Sequence, residues 1–282
     1  MEVPISSSYR TRLAPTPTGF LHLGHAKTFG LAHSRARAAG GKVLLRVEDL
    51  DRARCKPEYV DAVLADFEWM GVEWDEGPVF QSERRRVYEG VWQHLKEVGA
   101  IYPCAVTRKE LRNVALAPHE DEEAAEPIFP AALRGRVEDG LSAGAPGGTA
   151  WRFKVPDGRV ICFDDALAGP QSFEAGTDFG DFVVWRRDDV PAYELAVVAD
   201  DLAQSVTEVV RGRDLLRSTA RQILLIEALG GESPAWVHAP LVCDREGRRL
   251  AKRHGSLAMK TLREAGWDYA DAVAAHEAGE LE

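Results

Sequence analysis

Residues 9–47 read YRTRLAPTPTGFLHLGHAKTFGLAHSRARAAGGKVLLRV, and this stretch decides the fold. An extended run from Tyr9 to Ala14 meets Pro15-Thr16-Pro17-Thr18-Gly19, and a helical pattern follows from about His22 to Ala39. Gly40-Gly41 ends that helix, because glycine enters the left-handed cap conformation without a Cβ clash. Lys42 to Val47 is apolar without alternation, as a strand buried on both faces of a parallel sheet must be. Strand, loop, helix and strand in so short a span make a βαβ unit. The expected fold is α/β, a Rossmann-like core around a parallel sheet.

Outward from this unit, Val60, Val63, Leu64, Phe67 and Met70 recur at helical spacing between Pro57, suited to a first turn, and the stop signal Gly71. A second amphipathic helix is expected over 82–98, with Val87, Val91, Leu95 and Val98 inward and Gly99 as its end. A strand follows at Ile101–Ala105, and Thr107 with Glu110 forms a capping-box pattern. The segment 117–150 turns acidic and then rich in small residues, which marks exposed loop and a change of organisation. Beyond it, WRFKV-PDG-RVICF reads as a hairpin about Pro156-Asp157-Gly158, and Phe182–Trp185 with Tyr193–Ala199 as a second strand pair. Parallel-sheet character returns with Val206–Val210, a helix over 218–229 and a strand over 237–242. The expected organisation is a first half of the core at 1–102 and a β-containing insertion at 103–192 that holds the 117–150 loop. The second half of the core follows at 193–262, and a tail at 263–282.

The chain has 282 residues, 45% hydrophobic and 28% charged, with Gly 25 and Pro 15, which excludes wholesale disorder and low-complexity classes. No run approaches the roughly 18 apolar residues of a membrane span, and the start lacks the apolar stretch of a secretory signal, so a cytoplasmic, membrane-free protein is expected. A formal net charge of -10 opposes indiscriminate binding to polyanions. Contact with nucleic acid would need local basic clusters, for which Arg84-Arg85-Arg86, Arg134 with Arg136, and Arg186-Arg187 are candidates, although solvated faces explain each equally well. The four cysteines, Cys55, Cys104, Cys162 and Cys243, are far apart and form neither a redox pair nor a local zinc knuckle.

His22-Leu23-Gly24-His25 falls where strand and loop feed the first helix. Unpaired N–H groups and partial positive charge at a helix start attract phosphate, two imidazoles add donors, and Gly24 lets a nucleotide approach the backbone. Taken alone, two histidines three apart also describe a solvated helix face. Late in the chain Arg248-Arg249-Leu250-Ala251-Lys252-Arg253-His254-Gly255-Ser256 forms a cationic loop, by itself an ordinary basic surface segment. The combination is what adenylate formation needs. One clamp holds the triphosphate, and Lys252 on the other meets charge developing at the α-phosphate during in-line displacement.

These motifs resemble the class I aminoacyl-tRNA synthetases, HLGH standing for their HIGH motif and residues 249–253 for their KMSKS loop. More narrowly, residues 12–19 with HLGH, Val47-Glu48-Asp49-Leu50-Asp51 and Lys252–Ser256 are similar to the glutamyl-tRNA synthetase catalytic core. Ala192–Val198 with Asp200-Asp201, and Val206–Leu216, look like its short branch, the glutamyl-Q tRNA(Asp) synthetases. The likeness covers most of residues 9–262. It implies a class I catalytic core without an anticodon-binding domain, since longer relatives continue into a helical one while this chain ends soon after its KMSKS-like loop. It also implies a ligase that activates L-glutamate with ATP, independently of tRNA, and transfers it to queuosine in the anticodon loop of tRNA(Asp). ATP with Mg2+, L-glutamate and queuosine-bearing tRNA(Asp) are the expected partners, and a monomer the expected state.

Carried over position by position, the family's glutamate pocket falls on Arg12, Ala14, Thr16, Glu48, Tyr193 and Arg211. Its ATP site falls on His22, Gly24, His25 and Lys252, with His22, His25 and Lys252 catalytic. The chemistry agrees, because forked guanidinium groups suit the two carboxylates of glutamate and Glu48 suits its ammonium. Singly, each has a plainer reading: a strand-end charge for Arg12, a loop or cap acid for Glu48, a half-buried strand residue for Tyr193, an ion-pair partner for Arg211. Two departures stand out. Relatives often carry a Cys-x-Cys, Tyr and Cys zinc site after the strand matching Ile101–Ala105, but Cys104 is followed by Ala105 and Val106, so zinc is expected to be absent. In the KMSKS counterpart Arg249 replaces a lysine and Ala251 a serine, while Lys252 is kept. Competing readings are a truncated ordinary glutamyl-tRNA synthetase, a small-molecule nucleotidyltransferase and a catalytically silent synthetase-like binding module.

Overall fold

A computed structural model describes residues 9–107, 110, 128–241, 258–278 and 281. The opening stretch forms β1 (Arg10–Leu13), α1 (Leu23–Ala38) and β2 (Lys42–Val47), with β1 and β2 parallel. Gly40 takes φ +63 at the turn between α1 and β2, and a Cβ on Gly41 would lie 2.3 Å from the Tyr9 carbonyl oxygen, so the turn requires both glycines. α2 (Pro57–Trp69) begins on Pro57 as expected and buries Ala62, Val63 and Phe67 against the sheet.

β3 (Glu76–Phe80) extends the sheet beyond β2. It contains Pro78, which an edge strand tolerates because the missing N–H costs no ladder bond. α3 (Arg85–Glu97) leads to β4 (Ile101–Cys104). The Thr107–Glu110 capping box forms, with Glu110 N–H donating to Thr107 Oγ1 at 3.2 Å and Thr107 N–H to Glu110 Oε2 at 2.7 Å. Residues 111–127, most of the acidic part of the loop, lie outside the described residues.

Two strand pairings differ from expectation. β5 (Ala150–Phe153) pairs with β4 and with β8 (Phe182–Trp185) in one antiparallel sheet, whereas β6 (Val160–Asp165) joins another. Pro156-Asp157-Gly158 therefore carries the chain between sheets and closes no hairpin. β6 pairs antiparallel with β7 (Gly169–Glu174), which shows no alternation in the sequence, and parallel with β10 (Ala235–Ala239). The run from Tyr193 is α4 (Tyr193–Ala203), not a strand partner of β8, and Leu195–Ala199 are buried all round. A fully apolar run has no period to distinguish helix from strand.

β9 (Glu208–Gly212) and β10 are parallel neighbours, joined by α5 (Leu216–Ala228). β9 returns alongside β1 on the side away from β2. Thr207 N–H donates to the Arg10 carbonyl at 2.8 Å, and Thr11 Oγ1 to the Glu208 carbonyl at 2.8 Å. The strand order thus reverses across the β1/β9 seam, and in such sheets the crevice at the carboxyl ends of the diverging strands is where ligands bind. Arg35 of α1 clamps the seam through a two-pronged contact with Glu208, both at 2.7 Å. α6 (Met259–Glu264) and α7 (Tyr269–Glu277) pack Leu262 and Ala272 against Leu23. Among the described residues no helix is long and apolar enough to cross a membrane.

Candidate active site

At the carboxyl end of the seam lies a cavity of about 370 Å³. Arg12, Ala14, Thr16, His22, Gly24, His25, Glu48, Tyr193 and Arg211 all line it. Lys252 lies outside the described residues. Described residues on either side of its loop border the site: Pro240 and Leu241 line the cavity, and Ala258 bridges to His22.

The cavity wall follows from local structure. Beyond β1 the chain crosses the end of β2, where Glu48 N–H donates to the Pro15 carbonyl at 2.9 Å. His22 caps α1, its Nδ1 accepting from Gly24 N–H at 3.1 Å, and His25 Nδ1 accepts from His22 N–H at 3.2 Å. With Nδ1 of each ring occupied as an acceptor, the neutral imidazole carries its proton on Nε2, which is therefore a donor. The two rings lie 3.8 Å apart between centroids. Capping and anion binding here use the same residues: the histidines that start the helix also present N–H groups where its dipole favours phosphate.

Beneath the cavity is a buried ionic lattice that sequence reasoning missed. Arg46 is 0% exposed. Its Nη1 donates to Asp201 Oδ1 at 2.6 Å and to Gln204 Oε1 at 2.9 Å, while its Nη2 donates to Glu48 Oε1 at 3.2 Å. Arg12 Nε donates to Asp201 Oδ1 at 3.3 Å and Arg12 Nη1 to the Val210 carbonyl at 3.2 Å. Asp200 receives Arg84 Nε at 2.6 Å, Gln81 Nε2 at 2.9 Å and the Tyr88 hydroxyl at 2.9 Å. Burial alone would raise Asp201, but Arg46 and Arg12 hold its carboxyl below the usual range. At Glu48 the balance reverses: burial outweighs the same two arginines and moves the carboxyl upward. Thr16 Oγ1 donates to Glu48 Oε2 at 3.3 Å, which orients the carboxylate in the cavity wall.

Tyr193 remains 40% exposed at the cavity mouth, and crowding of its phenol, aided by Glu48 and Glu194, pushes its pKa up to about 12. It is a neutral O–H donor at working pH. Arg211, on β9, is anchored by Gln222 and Thr219 of α5 and by His238 of β10. Arg46 and His238 escaped the sequence reading, and Asp201 entered it only as part of a motif, though a signal existed for the first two. An arginine inside Lys42–Val47 and a histidine inside an otherwise apolar strand are polar groups in strands buried on both faces, and such groups need designated partners.

Cys104 is buried on β4, Cys55 is half-buried and Cys162 is exposed. Among the described residues no group of three His, Cys, Asp or Glu side chains could hold a metal ion.

A second, larger cavity of about 780 Å³ adjoins the first and shares Thr16, Glu48 and Tyr193 with it. Arg54, Arg152, Arg186 and Arg187 line it together with apolar Leu50, Val106, Val183 and Pro191. It lies between the first half of the core and the β4–β5–β8 sheet, and it places Arg186-Arg187 at a site where Arg84-Arg85-Arg86 do not appear. Arg84 is committed to Asp200 and Arg85 to Glu89 and Asp189. Arg134 is likewise committed to Asp157 and Asp181.

The family described as tRNA synthetases class I (E and Q), catalytic domain, matches residues 8–276. A glutamyl-Q tRNA(Asp) synthetase of Nitratidesulfovibrio vulgaris (strain Hildenborough) is 48% identical over 267 residues, covering 91% of this chain and 82% of its own. Its namesake from Symbiobacterium thermophilum is 46% identical over 270 residues, covering 90% and 81%. A crystal structure of a glutamate tRNA ligase from Elizabethkingia meningosepticum, in complex with its amino acid, superposes with a TM-score of 0.75 at 30% identity over 88% of this chain and 53% of that one, so the chain spans about half of that ligase. With its HLGH-started helix, its reversed parallel sheet and the cavity at their junction, the chain belongs to the catalytic-domain family of class I tRNA synthetases for glutamate and glutamine.

Proposed function

We propose that the protein activates L-glutamate with ATP and transfers it to queuosine in the anticodon loop of tRNA(Asp). The observation that carries this reading is the pair of adjoining cavities with Thr16, Glu48 and Tyr193 on their common wall. The smaller cavity suits an amino acid and the phosphates of ATP. The larger combines arginines, of which Arg54 and Arg186 also pair with the lining acids Asp51 and Asp188, with apolar surface for a splayed base, the combination by which proteins read unpaired RNA. The names of the two curated relatives support the same acceptor.

In this reading Arg12 and Arg211 hold the carboxylates of glutamate and Glu48 holds its ammonium. His22 and His25 donate from Nε2 to the ATP phosphates at the start of α1, and Lys252 neutralises charge growing on the α-phosphate. Mg2+ enters on the ATP phosphates, which are its ligands. The glutamate α-carboxylate oxygen attacks the α-phosphorus and pyrophosphate leaves, giving glutamyl-adenylate. A hydroxyl of the queuosine cyclopentene diol, held in the larger cavity, then attacks the adenylate carbonyl, loses its proton, and AMP departs. Burial above the Arg46–Asp201 lattice fixes the charged groups before substrate arrives, so little reorganisation accompanies reaction.

The test is a charging assay with radiolabelled glutamate on three acceptors: queuosine-bearing tRNA(Asp) with its 3′ terminus enzymatically trimmed, the same tRNA lacking queuosine, and intact tRNA(Glu). Labelling of the trimmed queuosine-bearing tRNA alone is expected. Labelling of tRNA(Glu) alone would make the chain an ordinary glutamyl-tRNA synthetase core, and absence of glutamate-dependent ATP–pyrophosphate exchange would make it a silent binding module.

A further inference from the structure

The geometry points to His238, kept in one tautomer by Asp165, as the positioning residue that sets the orientation of the Arg211 guanidinium in the amino-acid cavity. His238 and Arg211 are register partners on the parallel strands β10 and β9. Arg211 Nε donates to His238 Nε2 at 3.1 Å, and Thr219 Oγ1 lies 2.9 Å from the same nitrogen. A guanidinium can only donate, so Nε2 offers its lone pair and the ring proton must sit on Nδ1. Asp165 Oδ2 lies 2.6 Å from Nδ1 and accepts that proton's hydrogen bond. Asp165 is itself immobilised. Its Oδ1 accepts from Leu167 N–H at 3.0 Å, Ala168 N–H at 2.7 Å and His238 N–H at 3.2 Å.

Both side chains of the Asp165–His238 pair are fully buried. Burial, with the nearby Arg211 charge, pushes the imidazole pKa down to about 4, so the ring is neutral at working pH. The other two arms of Arg211 are fixed in the same manner. Nη1 donates to Gln222 Oε1 at 2.8 Å, Nη2 donates to Thr219 Oγ1 at 2.7 Å, and Gln222 is turned oxygen-first because its Nε2 donates to Glu194 Oε2 at 2.8 Å. Three of the five guanidinium N–H groups are thereby engaged, one on each nitrogen, and the remaining hydrogen on Nη1 and on Nη2 is directed by those three bonds. A carboxylate bound by Arg211 meets a fork whose angle was set in advance. Asp165 ends β6, so this angle depends on the strand that pairs with β10 on the side away from β9.

The inference rests on Arg211 binding a glutamate carboxylate. The test measures KM for glutamate and for ATP separately by pyrophosphate exchange in four full-length variants. Asp165→Asn keeps an oxygen for the three backbone N–H groups but offers Nδ1 an amide N–H, which drives the ring proton to Nε2, against Arg211. His238→Asn keeps a donor near Nδ1 and loses the acceptor at Nε2, while His238→Gln keeps an acceptor near Nε2. Expected are a rise in glutamate KM of about tenfold or more for Asp165→Asn and His238→Asn, under about threefold for His238→Gln, and ATP KM within about twofold throughout, the scale of one lost or misdirected charge-assisted hydrogen bond. Arg211→Lys is the control. If it abolishes glutamate use while Asp165→Asn and His238→Asn match the wild type, the positioning inference is overturned and the glutamate reading stands. If Arg211→Lys leaves glutamate KM unchanged, the reading of Arg211 fails and the inference with it. Parallel rises in both KM values would reduce His238 to general structural support and overturn the inference too. Should His238→Asn not fold, Asp165→Asn decides.

Discussion

Arg46 Nη1 and Asp201 Oδ1 lie 2.6 Å apart beneath the cavity floor, and neither side chain is more than 7% exposed. Asp201 also receives Arg12, so one carboxylate balances two buried guanidinium groups. Removing one partner of a buried pair leaves an uncompensated charge, which costs more than the pair contributes. Asp201→Ala should therefore lower stability by about 3–5 kcal/mol. Urea denaturation checks this, and a loss below about 1 kcal/mol would mean that water reaches the lattice.

Glu48 is held by Arg46 and Thr16 with its carboxylate in the cavity wall. Glu48→Gln keeps the shape and removes the charge that would hold an ammonium. The expected result is a fall in kcat/KM for glutamate of about 10–100-fold, the range of one charge-assisted hydrogen bond, with ATP KM little changed. Equal losses for both substrates would assign Glu48 to the lattice and not to the amino acid.

His25 and Lys252 are read as donors to the phosphates. His25→Ala and Lys252→Ala should each slow glutamyl-adenylate formation by about 10- to 1000-fold, as loss of a transition-state charge donor does. The measurement is pyrophosphate exchange at saturating glutamate and ATP. An unaltered rate in folded Lys252→Ala would remove that residue from the mechanism.

Asp66 on α2 is fully buried beside Arg263 of α6, and burial outweighs that arginine to push its pKa up to about 6. Between the unfolded value near 3.8 and about 6, the folded chain retains a proton that the unfolded chain has lost, so this group's contribution to stability falls as pH rises. The Asp66→Asn variant lacks that dependence. The stability difference between variant and wild type should shift in the variant's favour by about 2 kcal/mol from pH 4 to pH 7. Parallel pH profiles would show that Asp66 ionises normally.

Much of this protein was determined locally. Helix starts at His22 and Pro57, the Gly40-Gly41 turn, the Thr107–Glu110 cap and the βαβ opening depend on residues within a few positions of each other, so capping, φ preference and apolar periodicity suffice to read them. The nine cavity-lining site residues were legible as an ordered set of motifs that are far apart in the chain but meet where β1 and β9 diverge. Tertiary structure decided the rest, because burial and pairing are non-local. Within Tyr193–Ala203 the run Leu195–Ala199 is apolar without a period, so only its buried surroundings distinguish helix from strand. Pro156-Asp157-Gly158 has the chemistry of a hairpin turn, yet β5 and β6 find better partners in separate sheets. The partners of Arg46, Arg12 and Arg211 lie up to 198 positions away in sequence, and a buried guanidinium donates to any carboxylate, carbonyl or lone pair that the fold brings within reach.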